Sequence, residues 1–278
     1  MPELPEVETI RRRLAPHLER RTIARGEILD FRLTRPFEPT AVAAELEGEV
    51  IAHVDRRGKY LIFRFESLRA LLIHLRMTGS LHHAPAGTLQ DDPYRRAVIR
   101  LDNGSDVAFR DVRRFGTWHL LEAEEVEPYI AVRLGVEPLG SVFTTRFLRD
   151  RLTGRRAPLK AALLDQRTVA GLGNIYADEA LWRSRLHPLR EAGSIGPEEV
   201  SPLRRAIRAA LEMGIARQGA TLRDYSQPDG SSGLMQHEFK VYGRAGEPCP
   251  RCGTPIEKIR AAGRGTWYCP SCQRLEPS

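Results

Sequence analysis

The four cysteines of the chain lie close together in the sequence, at Cys249, Cys252, Cys269 and Cys272. They form two C-x2-C pairs separated by sixteen residues, a spacing typical of a zinc site built from four thiolates. Disulfide bonds are the alternative, but the sequence shows no export signal, and a cytosolic environment keeps thiols reduced. We therefore predict one structural Zn2+ ion, because four protein thiolates leave no open position for a reacting water molecule.

A second pattern with chemical potential is VAGLGNIYADEALW at 169–182. Gly171 and Gly173 permit a tight turn, and Asn174 is a favourable cap for the helix predicted to follow. The backbone N–H groups at such a helix N-terminus suit a phosphate group. A capped helix without a ligand is the simpler interpretation of this motif taken by itself.

Basic side chains are concentrated in two further stretches of this 278-residue chain, whose formal net charge is +7. The sequence TTRFLRDRLTGRRAPLK at 144–160 holds six basic residues against one acid, and FRDVRRF at 109–115 is a second cluster. The excess favours a nucleic acid partner. A solvated basic surface explains the charge alone equally well.

The apolar pattern indicates which elements must position these groups. A helix over about 5–15 is predicted, with Pro5 in its first turn. Short, partly alternating apolar runs at 22–121 predict antiparallel strands and favour a sandwich. Helical periodicity follows over about 144–217, and a long polar loop, expected to be functional or disordered, spans 218–238.

The composition excludes a membrane-spanning protein, because the longest apolar runs are far shorter than a bilayer requires. The sequence also shows no secretory signal pattern ahead of the first predicted helix. We therefore expect a cytoplasmic protein. Its length favours two domains over one.

Seven motifs in this order resemble the bacterial formamidopyrimidine-DNA glycosylases, repair enzymes that remove 8-oxoguanine and ring-opened purines. They cover nearly the whole chain and are PELPEVET at the N-terminus, RRGKYL (56–61), HLRMTG (74–79), DVRRFG (111–116), LLDQ…VAGLGNIYADEAL (163–181), VYGR (241–244) and the hairpin sequence GRGTWYC (263–269).

The resemblance implies an α+β fold in three parts. These are an N-terminal catalytic β-sandwich domain with a flanking helix at 1–134, a helix–two-turns–helix DNA-binding domain at 135–225, and a C-terminal zinc finger, a zinc β-hairpin, at 240–274. It also implies a monomer that binds damaged double-stranded DNA in a basic cleft between the β-sandwich and helical domains.

The resemblance further implies the chemistry of the N-terminus. Removal of Met1 would free the amine of Pro2, the nucleophile of the family, and an α-amine has a lower pKa than a lysine side chain. Attack on C1′ yields an iminium after base loss, so a glycosylase that is also an abasic-site lyase, acting by β,δ-elimination, is expected. Glu3 is expected to act as general acid and base. Lys59 and Arg264 would complete the catalytic set by contacting phosphates near the lesion.

Three side chains match those with which the family fills the gap left by an extruded nucleotide. Met77 would occupy the vacated space, Phe115 would wedge a base step, and Arg113 would hydrogen-bond the orphaned cytosine. The loop 218–238 resembles the lesion-capping loop of the family, with contacts expected from residues 221–225. Further DNA contacts are implied for His74, Lys160, Asn174, Tyr242 and Arg264.

Two alternatives differ in substrate or in class. The sister group that removes oxidised pyrimidines shares the fold, the nucleophile and the zinc hairpin, whereas PELPEVE and DVRRFG favour the purine-specific branch. A non-catalytic, zinc-stabilised duplex-binding protein could dispense with Pro2 and Glu3. Both residues are present, which argues against that alternative.

Overall fold

The computed structural model describes residues 1–222 and 225–275, which form two compact units. The first unit comprises Met1–Ala131 together with Arg217–Leu234, and the second comprises Val132–Ala216 together with the chain from Met235 onward. In the structure, residues 217–234 pack with the N-terminal residues, although 217–225 fall within the domain predicted at 135–225. The predicted domain bounds stay a prediction.

In the first unit, two four-stranded antiparallel sheets share one hydrophobic core. Their strand orders are β1-β6-β7-β5 and β2-β3-β4-β8. The elements are α1 (Leu4–Leu18), β1 (Ile23–Ile28), α2 (Pro39–Leu46), β2 (Ile51–Arg57), β3 (Tyr60–Phe65), β4 (Ala70–His74), β5 (Gly79–Pro85), β6 (Arg95–Leu101), β7 (Ser105–Asp111), β8 (Thr117–Leu121) and α3 (Ala123–Ala131).

Helix α1 contributes one apolar stripe to this core through Val7, Ile10, Leu14 and Leu18. These residues follow helical spacing, which explains why the helix continues past the predicted end near residue 15. Helix α2 lies within the stretch predicted to be β-rich, where a proline occupies its first turn and favours helix initiation.

The second unit is built from helices and one hairpin. Its elements are α4 (Thr145–Leu152), α5 (Leu159–Leu164), α6 (Asn174–Ser184), α7 (Pro197–Ala216), β9 (Glu257–Ala261) and β10 (Arg264–Tyr268), with short 3-10 turns at Ala192–Ser194 and Met235–Glu238. Helix α6 packs against α7 and against β10. Strands β9 and β10 pair antiparallel around a two-residue turn at Ala262 and Gly263, where both residues have positive φ, as a type I′ turn requires.

The predicted α+β fold class is confirmed, with a sandwich of sheets near the N-terminus and a helical unit that carries the cysteine hairpin. Among the described residues, no helix combines the length and the apolar character needed to cross a bilayer.

Candidate active site and nucleic-acid interface

The predicted nucleophile, Pro2, is buried immediately before α1. Glu3 precedes the first helical residue and is only 2% exposed. Its backbone N–H donates a 2.8 Å hydrogen bond to Oε2 of Glu6. Because a carboxylate three residues into the helix satisfies this otherwise unpaired donor, the backbone that carries Pro2 and Glu3 has a defined position.

The same Glu6 carboxylate also holds the 217–234 segment. Its Oε1 accepts a 2.9 Å hydrogen bond from the backbone N–H of Ala220. The preceding Gly219 has φ +80°, and a Cβ there would lie 2.9 Å from Cγ of Glu6. A glycine is therefore required for this close approach. Glu6 thus connects the start of α1 to the segment expected to cap the lesion.

The contacts predicted for residues 221–225 with the flipped base stay a prediction. Residues 223 and 224 lie outside the described residues. Tyr225 packs in the core of the first unit, and its hydroxyl donates a 3.1 Å hydrogen bond to the carbonyl of Gln218. Burial, together with the charge of Glu6, raises the pKa of Tyr225 above its ordinary value. In this arrangement Tyr225 anchors the segment.

Lys59 lies in the two-residue turn that joins β2 to β3. Arg56 holds this turn, because its Nη1 donates to the Gly58 carbonyl at 2.9 Å while its Nε donates to Oε2 of Glu8 at 3.1 Å. Burial raises the pKa of Glu8, but three arginines outweigh burial and lower it to about 2. A permanently charged Glu8 therefore links the turn of Lys59 to α1.

His74 closes β4 and is largely buried against the ring of Tyr60. Its Nδ1 accepts a 3.0 Å hydrogen bond from the backbone N–H of Arg76. Burial, reinforced by the positive charges of Arg76 and Lys59, lowers the pKa of His74 to about 3. The imidazole is therefore neutral near pH 7, with Nε2 as its remaining N–H donor.

The three side chains predicted to fill the DNA gap lie on two loops of the first unit. Met77 is 39% exposed in the loop between β4 and β5, and Phe115 is 50% exposed in the loop between β7 and β8. The guanidinium carbon of Arg113 stacks 4.7 Å from the centre of the Phe115 ring. Thr78 and Asp111 are hydrogen-bonded to each other and so join the two loops. Large exposed apolar side chains on adjoining loops are suited to insertion between bases.

In the second unit, Asn174 and Arg264 are brought to the same end of α6. Asn174 is the first residue of α6 and not its N-cap, which is Gly173, so the predicted capping role is wrong. The Asn174 side chain instead donates a 3.0 Å hydrogen bond to the carbonyl of Gly265. Arg264 is exposed next to the hairpin turn, where a phosphate can reach it together with the helix N-terminus.

The structure differs from the sequence prediction at Lys160. Its side chain is fully buried, and Nζ contacts Asp178 at 2.6 Å and the Thr266 hydroxyl at 2.7 Å. The ammonium group is occupied by Asp178 and by Thr266 of the hairpin, so it is not available to a DNA phosphate. Tyr242 is partly buried, with its ring centre 4.5 Å from that of Trp267, which leaves part of the side chain accessible.

The four cysteine sulfur atoms lie within 4.8 Å of one another. Tetrahedral thiolate coordination at a Zn–S distance of about 2.3 Å requires sulfur atoms about 3.8 Å apart, so the cluster fits the ion. Trp182 of α6 donates its indole N–H to the sulfur of Cys249 at 3.4 Å. Such an outer contact orients a metal ligand. The predicted structural zinc site at Cys249, Cys252, Cys269 and Cys272 is confirmed.

The roles of four buried acids that hold these groups were not predicted from the sequence. They are Glu8, Asp111, Asp178 and Glu179. Asp111 is the first residue of DVRRFG, and a lone acid at the start of a basic motif was the available signal. Glu179 accepts hydrogen bonds from three successive backbone N–H groups at 240–242, all between 2.9 and 3.1 Å. Nothing in the local sequence indicates these partners.

Comparison with known proteins places the chain among DNA repair enzymes. Residues 1–118 match the formamidopyrimidine-DNA glycosylase N-terminal domain, 134–226 the formamidopyrimidine-DNA glycosylase H2TH domain, and 246–275 the zinc finger found in FPG and IleRS. The formamidopyrimidine-DNA glycosylase of Symbiobacterium thermophilum is 49% identical over 276 residues, which cover 98% of this chain and 89% of that protein.

Two similar solved structures contain damaged DNA. A Lactococcus lactis FPG variant in complex with Fapy-dG-containing DNA has a TM-score of 0.93 and 37% identity, covering 99% of this chain and 100% of that one. The wild-type L. lactis FPG in complex with DNA containing an oxidised pyrimidine has a TM-score of 0.91 and 37% identity, with the same coverage.

Proposed function

Because the chain belongs to the formamidopyrimidine-DNA glycosylase family, we propose that it removes 8-oxoguanine and formamidopyrimidines from duplex DNA and then cleaves the strand at the abasic site. It is a DNA-formamidopyrimidine glycosylase and a DNA-(apurinic or apyrimidinic site) lyase. The observation that carries the proposal is the position of Pro2 and Glu3, both buried at the N-terminus of α1. Glu3 also caps α1, because its side chain and that of Glu6 form a reciprocal capping box that fixes the backbone next to Pro2.

The reaction begins after removal of Met1, which exposes the secondary amine of Pro2. Its lone pair attacks C1′ of the damaged nucleotide, and the bond to the base breaks with its electron pair leaving on the base. Loss of the amine proton and opening of the sugar ring give an iminium joining Pro2 to C1′. Glu3 supplies and removes protons at the ring oxygen and at C2′.

Strand cleavage follows from the same intermediate. The positive iminium acidifies the C2′ proton, so its removal expels the 3′ phosphate in β-elimination, and a second elimination expels the 5′ phosphate. Lys59 and Arg264 contact the phosphates next to the lesion as cations. His74, which is neutral, donates from Nε2, while Asn174 and Tyr242 provide further contacts. Lys160 acts inside the protein by holding the hairpin that carries Arg264.

Base extrusion is assisted by the two exposed loops of the first unit. Met77 fills the vacated space, Phe115 wedges the adjoining base step and Arg113 pairs with the orphaned cytosine. Unstacking costs a few kcal/mol, which contacts with the bent DNA offset. The zinc ion held by the four cysteines is structural and keeps the hairpin folded. We place the protein in the cytoplasm as a monomer that acts on damaged double-stranded DNA.

Oxidised pyrimidines are a second candidate substrate class. The observation in its favour is the wild-type L. lactis FPG, 37% identical to this chain, which has been solved with DNA containing an oxidised pyrimidine. Arg113 favours the purine assignment, because its fork of donors suits the cytosine that faces a damaged guanine.

Borohydride trapping tests the reaction and the substrate class together. The mature protein is mixed with an 8-oxoguanine:cytosine duplex, reduced, digested and analysed by peptide mass, with an undamaged duplex as control. We expect an adduct on Pro2 with the damaged duplex only. Trapping solely on an oxidised-pyrimidine duplex would assign the protein to the second class. Absence of any adduct on both damaged duplexes would refute the Pro2 mechanism.

A further inference from the structure

The loops that carry Met77, Arg113 and Phe115 close over one buried ring. Each loop ends in a glycine, at Gly79 and at Gly116. A Cβ on Gly79 would lie 2.9 Å from Cζ of Phe109, and one on Gly116 would lie 2.5 Å from the same atom. Both distances are too short for a side chain, so each loop packs its glycine against the ring of Phe109.

Asp111, at the end of β7, is the group that joins these loops. Its side chain is 1% exposed. Oδ2 accepts hydrogen bonds from the backbone N–H groups of Phe115 at 2.9 Å and Gly116 at 2.8 Å. Oδ1 accepts the hydroxyl of Thr78 and, at 3.2 Å, the backbone N–H of Arg113.

Thr78 connects this arrangement to the loop between β4 and β5. Its Oγ1 donates to Asp111 and accepts a 3.0 Å hydrogen bond from the backbone N–H of Arg113. Thr78 directly follows Met77 and is itself buried. One carboxylate and one hydroxyl therefore fix the backbone beside all three gap-filling side chains.

The middle of the second loop is held from its other side. Arg114 has φ +60°, a left-handed conformation that costs a non-glycine residue about 1 kcal/mol or more. Its guanidinium forms a two-point contact with the buried carboxylate of Asp30, one of whose distances is 2.8 Å. This contact turns Arg114 away from its neighbours and leaves Arg113 and Phe115 stacked together and exposed.

We infer that Asp111 is a positioning residue for nucleotide extrusion, which holds the loops of Met77, Arg113 and Phe115 as one preformed wedge through Thr78. The inference rests on the proposed function of those three side chains. A wedge must replace the stacking of the extruded base at once, and a preformed arrangement avoids the entropy cost of ordering two loops during insertion. Asp111 touches no substrate and acts only through the loops.

Asp111→Asn is the first test, because an amide placed among four donors must turn at least one N–H toward another N–H. Thr78→Val is the milder second variant and removes only the link between the loops, while Thr78→Ser keeps it. Asp106→Asn is the matched control. Asp106 lies in the same strand and is also buried. It accepts a backbone N–H from Gly87 at 2.9 Å and pairs with the guanidinium of Arg100, away from the wedge loops.

Two readouts separate wedge positioning from general damage. The first is the single-turnover rate of base release from an 8-oxoguanine:cytosine duplex, with 2-aminopurine beside the orphaned cytosine to report insertion. The second is borohydride trapping on an abasic site in single-stranded DNA, which needs Pro2 but no wedge. We expect Asp111→Asn and Thr78→Val to slow duplex excision tenfold or more and to weaken the 2-aminopurine signal. Single-strand trapping should change less than twofold, and Thr78→Ser and Asp106→Asn should resemble wild type.

The opposite results would overturn the inference. Equal losses in both readouts for Thr78→Val would show a general structural role, and unchanged duplex excision in Asp111→Asn and Thr78→Val would show that the loops need no clamp. If the wild-type protein neither excises the damaged base from the duplex nor forms a borohydride-trapped adduct with the single-stranded abasic site, the proposed function fails. The 2-aminopurine signal on binding then still decides whether Asp111 positions the wedge.

Discussion

The ammonium group of Lys160 lies 2.6 Å from Oδ1 of Asp178, and both side chains are fully buried. The other carboxylate oxygen of Asp178 accepts the backbone N–H of Trp267 at 3.1 Å, while Lys160 donates to the hydroxyl of Thr266 at 2.7 Å. This ion pair therefore joins α5 and α6 to the strand that begins at Arg264. Burial raises the pKa of Asp178, and the contact with Lys160 opposes that shift.

Lys160→Met should destabilise the protein by about 3–5 kcal/mol, because it leaves a buried carboxylate without its partner. Denaturant unfolding of the zinc-loaded protein measures the change. The double variant Lys160→Met with Asp178→Leu should recover most of the loss, since a well-packed apolar pair removes both buried charges. No recovery in the double variant would mean that packing, and not the ion pair, explains the loss.

His74 should make stability sensitive to acid. Its pKa is 6.5 in the unfolded chain and about 3 in the folded protein, so between these values the unfolded state binds one more proton. The contribution of neutral His74 to the free energy of unfolding is complete above the unfolded pKa. It falls by up to about 1.4 kcal/mol per pH unit as the pH drops toward the folded pKa. His74→Asn keeps an acceptor for the Arg76 N–H. Between about pH 4 and 6, the free energy of unfolding of this variant should depend less on pH than that of wild type. Parallel curves would contradict this prediction.

Arg264→Ala should weaken binding to damaged and undamaged duplexes by the same factor, because a phosphate contact carries no sequence or lesion information. The slope of log affinity against log salt should become shallower by about one unit. Arg205→Ala is a suitable control, since Arg205 is exposed on α7 of the same unit and lies outside both basic stretches. A loss confined to damaged DNA would show that Arg264 recognises the lesion.

Removal of zinc should abolish DNA binding while the first unit remains folded. Trp182 and the buried Cys249 and Cys269 share one apolar cluster with Ile256, so four uncoordinated thiols would loosen the hairpin that carries Arg264. Chelation followed by fluorescence anisotropy measures binding, and hydrogen exchange follows the core around Phe63 and Phe109. Retained binding after verified metal loss would show that DNA binding does not depend on the zinc-bound hairpin.

The sequence by itself determined the zinc ligands, the α+β class and the family. These features depend on local patterns: C-x2-C pairs form a metal site over a few residues, and apolar periodicity reports one element at a time. The N-terminal proline and its neighbouring glutamate were also visible, because ordered motifs along the chain carry the family resemblance.

Only the tertiary structure decided which charged groups are exposed and which form partnerships inside the protein. Lys160 meets Thr266 across 106 residues, Glu6 meets Ala220 across 214, and Asp111 meets Thr78 across 33. Whether a charge is solvated or paired depends on which distant backbone and side-chain groups the fold brings within about 3 Å of it. A basic residue in a basic stretch has the same sequence signature in either case, and only the partners that the fold brings to it separate the two cases.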